Sequence, residues 1–303
     1  MKKSLFLAIS LCIAASLLVF IQATDLRKAL ALIFQIGYRF YLLIFITFIA
    51  YVLGTLSWQY TLGNDAKKVS LTRLFLIRHV GETVAWFNPT SVIGGDALKG
   101  LLLAKYMINK KSLVLSILLA RLIMISTQLF LLASTVGLIL IQHPETASSH
   151  FQSMKMGVVP IGLMNRSALL AKLKELTADI KKAIHLHSKL LLFSCLFALL
   201  HWLAGSLEFY FILKFLGLKV TLMQALLVDL GVIIFKAAGA FIPGQLGVEE
   251  YGNKIMLMVI GIPGVEIWVS ASILRRARQL VWACFGISVY FLIFHRKIPV
   301  LQT

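Results

Sequence analysis

Hydrophobic positions in this chain gather in long unbroken runs, and the polar residues collect between them. Residues 4–22, 40–62, 112–141, 190–213 and 266–294 are apolar or nearly so. Each matches the ~20 residues that an α-helix needs to cross a hydrocarbon layer of ~30 Å, so each predicts a spanning helix. One stretch differs. In RSALLAKLKELTADIKKAIHLH, residues 166–187, Leu169, Leu173, Leu176, Ile180 and Ile184 recur at helical spacing, with Lys172, Lys174, Lys181 and Lys182 off that stripe. It predicts an amphipathic helix, either in the headgroup plane or packed on the bundle as a connector.

Composition agrees with the pattern. The 303 residues are 59% hydrophobic and 14% charged, and a soluble domain cannot hide that much apolar surface. Lys2 and Lys3 precede the first run as they would in a secretory signal, but the run is long and lacks a small-x-small site, so it reads as a retained anchor. Leu11 before Cys12 argues against a lipoprotein. Cys12, Cys195 and Cys284 lie singly in apolar runs, and the histidines form no metal-ligand spacing. Neither a metal nor a cofactor is expected. The net charge of +18 is scattered among the hydrophobic runs rather than held on a soluble domain. That distribution suits membrane orientation and anionic lipid, and it argues against nucleic acid as a partner.

The polar punctuation repeats. LGNDAKKVSLTRL from residue 62 matches LGLKVTLMQAL from residue 216, and FNPTSVIGGDALKG (87–100) matches FIPGQLGVEEYGNK (241–254). A shift of 154 residues carries Phe87, Pro89, Asp96 and Arg121 onto Phe241, Pro243, Glu250 and Arg275. The predicted fold is therefore an all-α polytopic membrane domain over 1–303. It has an N-terminal span (1–22), a first half (40–141), a linker with the amphipathic helix (142–189) and a second half (190–294). Each half holds a Gly/Pro-broken, re-entrant segment, and such paired interruptions point to a transporter's binding site.

Charge bias favours inverted halves. That arrangement puts Lys2, Lys3, Lys67, Lys68, Arg73, Lys105, Lys110, Lys111, the basic residues of 166–189, Arg296 and Lys297 inside. Only Arg27, Lys28, Arg39, Lys214 and Lys219 fall outside. It requires 151–165 to cross the membrane, and it predicts a bacterial inner-membrane protein with a cytoplasmic N-terminus.

Candidate chemistry sits at the breaks. Pro89 lacks a donor and disfavours helix at Asn88, so a helix from residue 71 should end there. Gly94 and Gly95 permit unusual backbone angles or close approach, and Asp96 should begin the next helix, which runs to Tyr106. In the second half Pro243, Gly244 and Gly247 interrupt the chain, with Glu249 and Glu250 starting a helix. Such N-termini suit an anion such as a phosphate headgroup, while the acids also suit simple capping. Arg121 and Arg275 lie inside spans, where an unpaired arginine costs at least ~2.5 kcal/mol. Asp96 is the expected partner of Arg121, and Glu249 or Glu250 that of Arg275. These arginines either pin the breaks or grip a phosphate bidentately, and Arg276 and Arg278 add charge that a pin does not need. On that reading Arg275→Ala reduces function and leaves folding intact. Arg78, Glu82, Lys99, Glu208, Lys236 and Lys254 are further candidates for the same cavity. Trp58, Gln59 and Tyr60 read as an interfacial belt.

NPTSVIGGDALK at 88–99, PGQLGVEE at 243–250 and the intramembrane Arg275 followed by Gly286 together resemble the lysylphosphatidylglycerol synthase transmembrane region, a family of flippase-like membrane proteins. The resemblance covers roughly 5–295. It implies paired re-entrant segments and movement of a lipid between leaflets. Lys99 stands where the family usually has arginine, and Ala120 where an aspartate commonly precedes the arginine. No aminoacyl-transferase domain follows before Thr303, so synthase activity is not carried over. The expected partners are membrane lipids with anionic or lipid-linked headgroups, and a biosynthetic enzyme. The first function expected is a lipid translocator. The alternatives are a non-transporting partner in lipid or glycan biosynthesis, and then a membrane enzyme. No GxxxxGK(S/T) loop occurs, which argues against direct ATP use.

Overall fold

A computed structural model describes residues 25–87, 91–106, 108–142, 188–239, 242 and 245–294, with isolated positions between 15 and 22. The described elements are all helical. They are α1 (Leu26–Ile36), α2 (Arg39–Thr61), α3 (Leu71–Phe87), α4 (Ser91–Leu103), α5 (Lys110–Gln142), α6 (Ser188–Phe215), α7 (Leu222–Ala238), α8 (Val248–Val259) and α9 (Val265–Val289). A long helix, two short ones and a second long one thus occur in the same order twice, as α2–α5 and α6–α9. The run 4–22 lies almost wholly outside the described residues, and the expected crossing at 151–165 and amphipathic helix at 166–187 lie outside them entirely.

By length and composition, α2, α5 and α6 are able to cross a membrane. Helix α9 is long enough, but every eighteen-residue stretch of it includes Arg275, Arg276 and Arg278. The outer surface carries large exposed side chains such as Phe34, Tyr41, Phe130 and Leu192. In water such a surface would aggregate; against acyl chains it is the ordinary exterior of a membrane domain.

The halves interlock. Helices α2 and α6 share the most extensive interface, α5 packs on α6 and α7, and α9 packs on α3. Small residues let α2 and α6 approach closely, so that Ser194 Oγ donates to the Ser57 carbonyl at 2.8 Å. Trp202 on α6 donates to the Met124 carbonyl on α5 at 3.0 Å, and Trp282 on α9 donates to Thr47 Oγ1 on α2 at 2.8 Å. These bonds consume polar groups that lipid could not satisfy. The apolar core gathers Leu43, Phe209, Ile212, Leu213, Val228, Leu257 and Leu274, against which α1 seats Ala29, Leu32 and Ile36.

The two breaks differ. Helix α3 closes at Phe87 and α4 opens at Ser91, so Gly94, Gly95 and Asp96 lie within α4 rather than before it. The expectation that Asp96 starts that helix is thereby corrected. The glycines are helical, and Gly95 serves close approach instead: a Cβ there would run into the Gly81 carbonyl and lie 2.7 Å from Ala85 Cβ on α3. Gly95→Ala should therefore force α3 and α4 apart and cost about 1–3 kcal/mol, as overpacking does. Thermal unfolding in detergent would read this as a lowered midpoint, whereas Gly137→Ala, which meets nothing within 4 Å, should lose nothing by steric contact. In the second half the expected pattern holds, with Gly247 as the N-cap of α8 and Glu249 and Glu250 in its first turn. Gly247 has φ 79°, a left-handed value that disfavours any residue with a Cβ. Asn88, Pro89, Pro243 and Gly244 lie outside the described residues.

Candidate functional site

In the first half a string of charges runs from α3 to α5 and is tied to α2 at the Tyr51 carbonyl. Arg78 on α3 donates through Nε to Glu82 Oε1 at 2.7 Å and through Nη1 to the Tyr51 carbonyl at 2.8 Å. Lys99 on α4 lies next, 3.8 Å from Glu82 and 3.3 Å from Asp96. Arg121 on α5 then donates to Asp96, the partner expected for it. Two glycines make room for this string. The stem of Lys99 packs where a Cβ on Gly81 would be, and the guanidinium of Arg78 fills the corresponding space at Gly54.

Gly54→Ala should accordingly push Arg78 off Glu82 and the Tyr51 carbonyl. The guanidinium ends a flexible stem, so the fold yields cheaply while the charge string breaks. We expect a stability loss of no more than about 1.5–3 kcal/mol, the worth of a hydrogen bond to a charged group, read as a lowered thermal midpoint in detergent.

The second half holds a denser set. Arg275 on α9 donates from Nη2 to Asp229 Oδ1 at 2.8 Å, and its Nε lies 3.3 Å from Glu249. Glu249 also accepts from Gln279 at 3.0 Å and faces Lys236 at 3.3 Å. Ser206 donates to the other oxygen of Asp229 at 3.2 Å. Arg278 donates to Glu208 at 2.9 Å and to the Tyr51 hydroxyl at 3.1 Å, joining α9 to both α6 and α2. Arg276 pairs with Glu250, which also accepts from the Gly247 amide at 2.8 Å. Glu250 is thus both a helix cap and an ion-pair partner. Gln245, at φ 51°, turns its side-chain amide onto the Lys236 carbonyl at 3.2 Å and closes the end of α7.

Arg275 meets Glu249, one of the two acids expected for it, and adds Asp229 at a shorter distance. Other expectations change. Arg276 and Arg278 are not surplus charge, since each has its own carboxylate. Lys254 is exposed on α8 and does not line the cavity. Trp58 is buried on the cavity wall rather than standing in an interfacial belt. Asp229, Tyr51, His201 and Gln279 were not singled out from the sequence. Asp229 had a signal: it is the sole acid in an apolar run from 222 to 238, which is costly in a membrane without a partner.

Between the halves lies a chamber of about 710 Å³. Its wall includes Arg78, Glu82, Asp96, Lys99 and Arg121 from the first half, and Glu208, Asp229, Lys236, Arg275, Arg278 and Gln279 from the second. His201 joins them, with Nδ1 2.6 Å from the Ala50 carbonyl. Ile125 and Ile242 line the chamber and are 52% and 44% exposed, which puts apolar side chains at its open edge. An amphiphile fits such a space, with its polar end among the charges and its chains at that edge.

Residues 7–287 match the lysylphosphatidylglycerol synthase TM region family. The chain belongs to that family. It is an integral membrane protein, and this membrane domain fits a lipid-related role. No curated protein and no solved structure gave a significant match. Within the family's matched region lie both charge clusters and the whole chamber wall.

Proposed function

We propose that the protein moves a phospholipid or lipid-linked headgroup between leaflets through this chamber, while the acyl chains stay in the bilayer. One observation carries the reading: a charged chamber built jointly by both halves, with the apolar side chains of Ile125 and Ile242 at its open edge. A headgroup crossing bare hydrocarbon loses its hydration with nothing in return. Fixed ionic groups in a recess replace part of that hydration. Asp96, Lys99 and Arg121 on one side, and Asp229 with Arg275 on the other, are the groups we place nearest the headgroup path. Glu249 and Glu250 support them from behind the chamber wall, Glu249 through Arg275 and Lys236, Glu250 through Arg276 and the Gly247 amide. The repeated helix order supports inverted halves, in which each interrupted pair re-enters from its own face. The setting proposed is the bacterial cytoplasmic membrane, with the N-terminus cytoplasmic.

A purely anchoring role in a biosynthetic complex gives no reason for a charged chamber with apolar side chains at its edge, and none of the described wall residues pairs a nucleophile with a base as a lipid-modifying enzyme would need. The test is reconstitution. Vesicles containing the protein should expose inner-leaflet fluorescent lipid to a membrane-impermeant quencher, and protein-free vesicles should not. Equal protection in both would remove the translocator reading.

A further inference from the structure

The uncharged polar side chains of the chamber wall fall into two sets. Thr47, Ser57, Gln245 and Gln279 each hold a protein partner. Gln128 on α5 holds none among the described residues, although it is only 8% exposed, and its amide opens onto the chamber rather than being sealed in apolar packing. His201 on α6 is half engaged. Its Nδ1 meets the Ala50 carbonyl, and a carbonyl has no hydrogen to give, so Nδ1 is the donor. In the neutral ring Nε2 is then a bare acceptor, open to the chamber and with no protein donor on it among the described residues.

The two groups belong to one stretch of wall. Trp202, next to His201 in sequence, donates its indole N–H to the Met124 carbonyl, and Met124 lies one turn before Gln128 on the chamber side of α5. That bond uses the polar edge of Trp202 and leaves its ring surface to the chamber wall. A buried amide without a partner is costly, and a leucine at 128 would leave no hydrogen bond unmade. The partners of Gln128 and of His201 Nε2 therefore come from what the chamber holds. A phosphate oxygen suits the Gln128 amide but is repelled by the Nε2 lone pair. A hydroxyl suits both, because it donates and accepts. Neighbouring sugar hydroxyls match the pair, one donating to Nε2 and the next meeting the amide, with the C–H face of the sugar ring against the indole.

We infer that the α5–α6 wall of the chamber, at Gln128, His201 and Trp202, is an uncharged hydrogen-bonding subsite for the hydroxyls of a glycosyl headgroup. The inference rests on the translocator reading for the chamber's purpose, and it adds the class of cargo: a lipid that carries a sugar.

The probe is monoglucosyldiacylglycerol, offered to the purified protein in detergent together with an equal amount of the same lipid whose sugar hydroxyls are methyl ethers. The ether headgroup keeps its acceptors and loses its donors. Native mass spectrometry reads the retained lipids. Wild type should retain the free glucoside over the ether by about tenfold, near the upper end of what one uncharged hydrogen bond contributes. Gln128→Leu and His201→Phe should each lower that ratio severalfold. His201→Gln should keep most of it, because one amide both donates to the Ala50 carbonyl and accepts from a hydroxyl. Gln128→Leu should unfold in detergent no earlier than wild type, since the amide it removes has no partner among the described residues. Equal retention of the two lipids by wild type, an unchanged ratio in either apolar variant, or a markedly lowered midpoint in Gln128→Leu would overturn the inference.

Methyl glucoside in large excess should not displace the lipid. Displacement would assign the subsite to free sugars and overturn the lipid assignment. Retention of phosphatidylethanolamine over phosphatidylcholine that disappears in His201→Phe would assign Nε2 to an ammonium and overturn it as well. The glucoside and its ether, fluorescently labelled on one chain, are then followed in vesicles. Preferred retention without movement would sink the translocator reading and leave the subsite standing; movement with equal retention would do the reverse.

Discussion

Arg275→Met should cost the fold about 3–5 kcal/mol, the loss expected when one member of a buried ionic set is removed. Arg275 is 7% exposed, and it bridges Asp229 on α7 to Glu249 on α8. Its guanidinium also stands 5.1 Å from the Phe209 ring centroid. Without it Asp229 keeps Ser206, Glu249 keeps Gln279 and Lys236, and the two carboxylates lose the cation between them. Unfolding in detergent should show a markedly lowered midpoint. Arg275→Met combined with Asp229→Asn should recover part of the loss, because the new neutral amide no longer needs a counter-charge. An Arg275 variant as stable as wild type would mean that the buried set contributes nothing to holding α9 against α7 and α8. The expectation that Arg275 could be removed without harm to folding is thus replaced: the residue supports the chamber before it can serve any ligand.

The second large effect concerns Asp96 and Arg121. Asp96→Arg would take the acid from between Lys99 and Arg121 and add a cation beside them, leaving Glu82, already engaged by Arg78, as the other carboxylate of the described cluster. We expect a cost of about 3 kcal/mol or more, because a buried cation is left unpaired beside like charges. Folded yield by size exclusion should fall severely. The exchange Asp96→Arg with Arg121→Asp restores the original charge count with the polarity of one pair reversed, and most of the folded yield should return. Arg121→Ala alone should be milder, because its side chain is 35% exposed and the pair is partly screened. If the exchange were no better than Asp96→Arg, the two residues would not be acting as a pair.

Much of this architecture is written in the spacing of the chain. Long apolar runs are sufficient to place α2, α5 and α6, because backbone groups in lipid can be satisfied only within a helix. The repeat between 87–100 and 241–254 located both interruptions. It also paired Arg121 with the right acid, because a buried arginine must find a carboxylate and Asp96 stood in the corresponding segment. What the repeat could not supply was the packing partner from another part of the fold. Asp229 approaches Arg275 from 46 residues away, and Glu208 approaches Arg278 from 70. Neither distance leaves a local mark. The two glycines at 94 and 95 left two readings open for a related reason: glycine serves a bend and a close helix crossing equally well, and the position of Gly81 across from Gly95 decides for the crossing. Trp58 misled likewise, since an aromatic near the end of a span reads as a belt until its burial is known.

The second-half set, with one carboxylate for each cation among the described residues, ties α6, α7, α8 and α9 together.

The most direct measurement is to fill the chamber and ask whether lipid still moves. Gln128 on α5 lies on the wall and is buried. Gln128→Cys in a background with Cys12, Cys195 and Cys284 replaced by serine offers one thiol there, and Leu192→Cys offers one on the outer face. After reaction with a bulky maleimide, inner-leaflet fluorescent lipid should become inaccessible to quencher in vesicles carrying the modified chamber variant. It should stay accessible in those carrying the modified outer-face variant. Undiminished lipid movement with the chamber occupied would contradict the account.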